Sequence, residues 1–276
     1  MTGLFKIARG ISRIVLGSVC VLLYSSTSYA DAVRVRHAEG LIHGFLILRD
    51  TTGKILAEGD LTQTAEGDRV TSRLTFHFKD GSLHDEAVVF SQNGNFRLLK
   101  DHQVQKGPTF PHPVDVSIDA TKGSVTVHYR DEDGSEEDSD DHLDLPGDLA
   151  NGMVLTILKN IQPDIAKTEV SMVAVTPKPQ LVKLSITPQG EEPFSVAKSR
   201  RKAMRYAVNV EIGGIKGWFA HLLGKQPPTI YVWILEGEAP AFVKSEGPLF
   251  VGGPIWRIEL TSPVWPETSA ENRKPE

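Results

Sequence analysis

The sequence predicts a mainly β protein, a single antiparallel curved sheet in the form of a half-barrel or barrel, with one or two short covering helices. Three observations carry that expectation: apolar and polar residues alternate with period two in several segments, glycine-containing turns separate those segments as hairpins require, and only two stretches show helical spacing. Alternation is clear at Val114, Val116 and Ile118, at Val125, Val127 and Tyr129, at Val182, Leu184 and Ile186, and at Tyr206, Val208, Val210 and Ile212. Turn chemistry falls at Gly53, Asp80-Gly81, Asn93-Gly94, Lys122-Gly123 and Asp133-Gly134, which implies roughly a dozen strands in hairpin succession. So many strands with one wet face must curl, close or split into two layers, so barrel, half-barrel and sandwich all remain open.

One run breaks the alternation. Ile230 to Leu235 is apolar throughout, which predicts a strand covered on both sides. The first helical stretch follows Leu145-Pro146-Gly147: Asp148 is placed to cap a helix carrying Leu149, Met153, Ile157 and Ile161, with Pro163 ending it. The second follows Gly213-Gly214 and sets Ile215, Trp218, Phe219, Leu222 and Leu223 on one stripe. That stripe reads as a cap on the core, or else as a lid over a cavity or a patch that meets a partner.

The chain opens as an exported protein does. Lys6, Arg9 and Arg13 precede an apolar stretch from Ile14 to Tyr24, and Ser28-Tyr29-Ala30 presents small residues where a signal peptidase cuts. A membrane-spanning helix needs roughly 20 apolar residues, and this stretch is about half that. Acylation of Cys20 is the other alternative, but Val19 stands where a small residue is expected. The division expected is therefore a signal peptide over residues 1–30, one β-rich domain over 31–262 and a disordered tail over 263–276, with no transmembrane segment after cleavage and a periplasmic or secreted destination. Cys20 is the only cysteine, so the processed protein has neither a disulfide nor a thiolate site. Removing Lys6, Arg9 and Arg13 leaves 27 basic against 35 acidic residues, a net charge of −8 that argues against nucleic acid as a partner.

The signal peptide, the hairpin succession, the helix inserted between two sets of strands and the closing run Gly253-Pro254-Ile255-Trp256-Arg257-Ile258-Glu259-Leu260 resemble exported bacterial families of unknown function. The resemblance covers most of residues 40–262. It implies a curved half-barrel similar in shape to periplasmic lipoprotein-localisation factors, which carry acyl chains against the concave face of a sheet under a helical lid. No short signature carries it, and it transfers no functional residue.

Local patterns point to few chemistries. If Asp80-Gly81 is a two-residue turn, His77 sits opposite His84 with Glu86 near on the same face, three groups that could approach a divalent ion but lack a fourth ligand. The bland alternative puts all three on the wet face and Leu74, Phe76, Phe78 and Ala87 in the core, and under that register Asp85 is awkward because it turns inward. The acidic stretch Asp131 to Asp141 fails the helix-loop-helix calcium pattern and reads as a solvated hairpin tip. Ser195-Val196-Ala197-Lys198 matches S-x-x-K without its companion motifs, and no G-x-S-x-G, H-E-x-x-H, P-loop or dinucleotide fingerprint is present in the processed chain.

The function expected is a non-enzymatic binding module, without cofactor, for an apolar ligand such as a lipid. Phe76, Phe78, Phe110, Trp218, Phe219, Trp233 and Trp256 are the candidate lining. An envelope protein-interaction domain with a filled core is the alternative, and a hydrolase with dispersed Asp and His residues ranks third.

Overall fold

A computed structural model describes residues 32–131, 133–162, 164–196, 199–211 and 227–261, with the side chains of 195, 196, 199 and 200 left aside. The expectations for residues 1–30, for the Trp218 stripe and for the tail lie outside the described residues. The first eight strands run β1 (Ile42–Arg49), β2 (Ile55–Glu66), β3 (Arg69–Phe78), β4 (Leu83–Ser91), β5 (Arg97–Lys106), β6 (Val114–Asp119), β7 (Ser124–Arg130) and β8 (Glu136–His142). After a helix, α1 (Val154–Asn160), come β9 (Thr168–Ala174), β10 (Gln180–Val196), β11 (Ser199–Glu211), β12 (Ile230–Leu235), β13 (Ala241–Gly247) and β14 (Trp256–Thr261).

All fourteen strands belong to one sheet in the order 8-7-6-5-4-3-2-1-14-13-12-11-10-9. The chain therefore starts in the middle of the sheet, meanders to one edge, crosses to the other edge through α1 and meanders back until β14 pairs with β1. Every pairing is antiparallel, as the alternation predicts. One apolar cluster joins Val88, Leu98, Val116 and Val127 from the first half to Val170, Ile186, Tyr206 and Ile234 from the second, with Met153, Ile157, Leu158 and Ile161 among them. The sheet thus curls around the helix and buries it, and the mainly β, curved antiparallel fold expected from the sequence is the fold observed.

The helix is shorter than its apolar spacing suggests. Gly152 takes φ +61°, so the right-handed helix begins only after Met153, and Asp148 caps nothing. Residues 148–151 act instead as an extra strand on the free edge of β9. Ala150 N–H donates to Ser171 O, Ser171 N–H donates to Asp148 O, and the Asn151 amide both accepts from Val173 N–H and donates to Val173 O. A bare sheet edge invites pairing with another chain, and this segment covers one. The other edge, β8, carries Glu136, Glu137, Asp138, Asp140 and Asp141, whose mutual repulsion discourages pairing of identical edges. Of the acidic stretch expected to form a hairpin tip, only 131–135 is the turn, closed by Asp131 N–H to Ser135 O, whereas Glu136–Asp141 belong to the edge strand β8.

The Ile230–Leu235 strand is covered on both faces, as its unbroken apolarity requires. Val232 and Ile234 enter the main core, whereas Trp233 points the other way into a small cluster with Ala203 and Val243. Lys244 Nζ lies 3.9 Å from the Trp233 ring centroid and Arg205 lies 4.0 Å from that of Tyr231, so cationic side chains finish the outer cover.

Candidate functional site

The polar groups that could do chemistry lie on β4 and β5, and two local irregularities put them inside. At the β3–β4 turn, Phe78 N–H donates to Ser82 O and Gly81 takes φ +86°, so the loop has three residues, 79–81, rather than two. The register moves by one: Phe76 faces His84 and His77 faces Leu83. A one-residue slip exchanges the faces of a strand. His84 and Glu86 therefore turn inward while His77 stays exposed, which separates the three groups of the suggested metal site; among the described residues no cluster suited to a metal forms. Asp85 moves outward, where Arg73 Nε and one terminal nitrogen each approach its carboxylate at 2.7 Å and Thr75 Oγ1 donates at 2.9 Å. Those bonds, Arg73 first, hold the Asp85 carboxyl below its usual range.

The second irregularity is a bulge where Val89 faces Lys100 but Phe90 faces Leu98. The extra residue, Leu99, changes the phase of β5, so that Asp101, Gln103 and Gln105 face inward in place of Lys100, His102 and Val104. Strands β4 and β5 thus carry a polar track on the core side of the sheet. Gln105 Nε2 donates to His84 Nδ1 and to Leu249 O, each at 3.0 Å, which leaves the His84 proton on Nε2. Burial holds the His84 pKa down to about 4, so the imidazole is neutral at pH 7.

Glu86 and Asp101 are the unusual pair. Asp101 is 3% exposed and its Oδ1 has no hydrogen-bond partner. Glu86 makes no hydrogen bond and no ion pair among the described residues. A Cβ built on Gly152 would lie 3.3 Å from Glu86 Oε1 and 3.3 Å from Asp101 Oδ1, and 2.1 Å from a Val88 methyl, so both carboxylates converge on a backbone that only glycine lets through. Burial pushes the Glu86 carboxyl up to about 7. Asp101 rises well above its usual value, first through burial and then through the charge of Glu86, with the His102 N–H acting the other way. Each carboxyl therefore keeps its proton to a higher pH than a free carboxyl does.

Glu86, Gln103, Gln105, His112 and Asn151 are the polar lining of a cavity of about 260 Å³. Its walls are otherwise mainly apolar, built from Val114 and Tyr129 on the first half of the sheet and Met172–Val175, Val210 and Ile230 on the second. The loop 248–252 and Pro227-Pro228 complete the wall. Glu86 is half-buried and borders this space.

The aromatic residues put forward as lining sit elsewhere. Phe76, Phe78, Phe110 and Trp256 belong to a second core cluster with Leu46 and Leu48, and Phe78 packs 5.3 Å from Phe110 and 5.6 Å from Trp256. Phe110 is 2% exposed, because Thr109 N–H donates to Ser82 Oγ and Thr109 Oγ1 donates to Asp80, folding the 107–112 loop inward. Phe250 joins that cluster to the cavity wall. Trp233 lies on the opposite face of the sheet, and Trp218 and Phe219 are outside the described residues.

No family model matches the chain, and no curated protein matches it. Among solved structures it is similar to the crystal structure of a β-barrel-like protein of the domain of unknown function DUF1849 from Brucella abortus, at 9% identity and a TM-score of 0.45 over 83% of this chain and 98% of that chain.

Proposed function

We propose that this protein is an exported, non-enzymatic binding module that holds one small, largely apolar ligand inside the curled sheet. A cavity of about 260 Å³ with mainly apolar walls carries the reading. An apolar cavity of about 150 Å³ accepts benzene, so this one suits a ligand of about ten non-hydrogen atoms. A medium-length alkyl chain fits; a whole diacyl lipid exceeds it. The positive n-region, apolar stretch and Ser28-Tyr29-Ala30 support export.

Calorimetric titration of the processed protein with 1-octanol tests the reading. Saturable one-to-one binding is expected, and Met172→Trp, which fills the wall of the cavity, should abolish it while the circular dichroism spectrum stays unchanged. An absence of binding, or binding untouched in a folded Met172→Trp variant, overturns it. The intact mass of the exported protein checks cleavage after Ala30 in the same preparation.

A further inference from the structure

We propose that the Glu86–Asp101 pair makes the cavity selective for a ligand with a protonated amine at the end of its apolar body; the inference rests on the cavity being a binding site. The pair lies where an apolar core ordinarily has no charge. Among the described residues no basic side chain forms an ion pair with either carboxyl. Asp101 Oδ1 is buried without a partner, and Glu86 reaches the cavity with both oxygens uncommitted to any described group. Gln105, His84 and Asn151 do not supply the missing charge. Gln105 spends both amide hydrogens on His84 and Leu249, His84 is neutral, and Asn151 is committed to Val173.

Ligand chemistry follows from that arrangement. A primary ammonium is a compact cation with three donors, and each bond it makes to a carboxylate is strengthened by charge. A hydroxyl head can donate one hydrogen bond but leaves that charge unneutralised, and a carboxylate head adds a like charge beside it.

The test uses octylamine, 1-octanol and octanoate, which share an eight-carbon body, titrated by calorimetry at pH 7.4 into the processed protein. Octylamine is expected to bind at least tenfold more tightly than octanol, and octanoate more weakly than either. In Glu86→Gln the amine preference should collapse to less than threefold while octanol binding persists, and Asp101→Asn serves as the second variant. Octanol binding at least as tightly as octylamine overturns the inference and leaves the cavity reading standing, as does an amine preference that survives both variants, which would mark attachment to the acidic surface. If none of the three probes binds, the cavity reading falls and the inference with it.

Discussion

Two acidic groups are buried in the same core, and they are treated in opposite ways. Glu39, in the segment before β1, is 7% exposed and fully partnered: Lys159 of α1 forms an ion pair with its carboxylate, Gln63 Nε2 donates to that carboxylate at 2.8 Å, and Gln92 bonds both its N–H and its carbonyl. Asn160 on the same helix accepts from the N–H groups of Arg36 and His37 at 2.8 and 2.7 Å. Together they clamp the leading segment onto the helix and close that end of the curl. Among the described residues the Glu86–Asp101 pair has no basic partner, and Glu86 borders the cavity. Where a buried polar network only holds a fold together, leaving one member unsatisfied costs more than replacing it with an apolar residue, so an uncompensated pair marks a place kept for something other than stability.

That contrast predicts opposite responses to similar substitutions. Lys159→Met strands Glu39 without a counter-charge and should cost about 3–5 kcal/mol in chemical denaturation, the largest effect expected. Glu86→Gln removes an uncompensated charge and should stabilise the fold at pH 8 by about 2 kcal/mol. A loss of stability in Glu86→Gln comparable to that in Lys159→Met would mean that the two acids are held alike and would remove the contrast.

Acidity sharpens the same comparison. The Glu86 carboxyl takes up its proton near 4.5 in the unfolded chain and near 7 in the folded one, so acidifying through that window adds stability. His84 does the reverse: the unfolded chain takes up the proton near 6.5 and the folded protein only near 4, so acidification through that window removes stability. Between pH 4.5 and 6.5 the two oppose one another. Glu86→Gln should therefore lose stability on acidification more steeply than the unmodified protein, by roughly 1 kcal/mol per pH unit, and equal slopes for the two proteins would show that Glu86 titrates normally. The smallest effect belongs to an acid of the outer face. Arg73→Met, which removes the partner of Asp85, should cost about 1 kcal/mol or less, since Arg73 is 60% exposed.

Much of the architecture is legible in residue order. The alternation at Val114–Ile118 and Val125–Tyr129 marks strands whose apolar positions are buried, Leu149, Met153, Ile157 and Ile161 all reach the core, and the doubly apolar Ile230–Leu235 is covered on both faces. The candidate site was less legible. A two-residue turn at Asp80-Gly81 places His77, His84 and Glu86 together on the wet face, whereas the three-residue loop sends Glu86 inward. The discomfort of Asp85 on an apolar face was the one local signal of that shift, because moving Asp85 out necessarily moves Glu86 in. Nothing comparable announces Asp101, since the bulge at Leu99 follows from packing of Leu98 and Phe90 against the core and leaves no turn residue behind.

By itself, then, the sequence determined that the chain is built of antiparallel hairpins with one apolar face, where most of them turn, and that the segment inserted after Pro146-Gly147 carries an apolar stripe at helical spacing. Those properties depend on neighbours a few positions apart. Which face of β4 and β5 looks inward, and that the polar track there ends in a cavity, were decided by the tertiary structure. Period two distinguishes two faces without saying which is buried, and one added residue exchanges them. The cavity itself is bounded by β4–β7 on one side and β9–β12 on the other, strands brought together only when the sheet curls around α1. Its volume is the space those distant side chains leave unfilled, a quantity that no local pattern encodes.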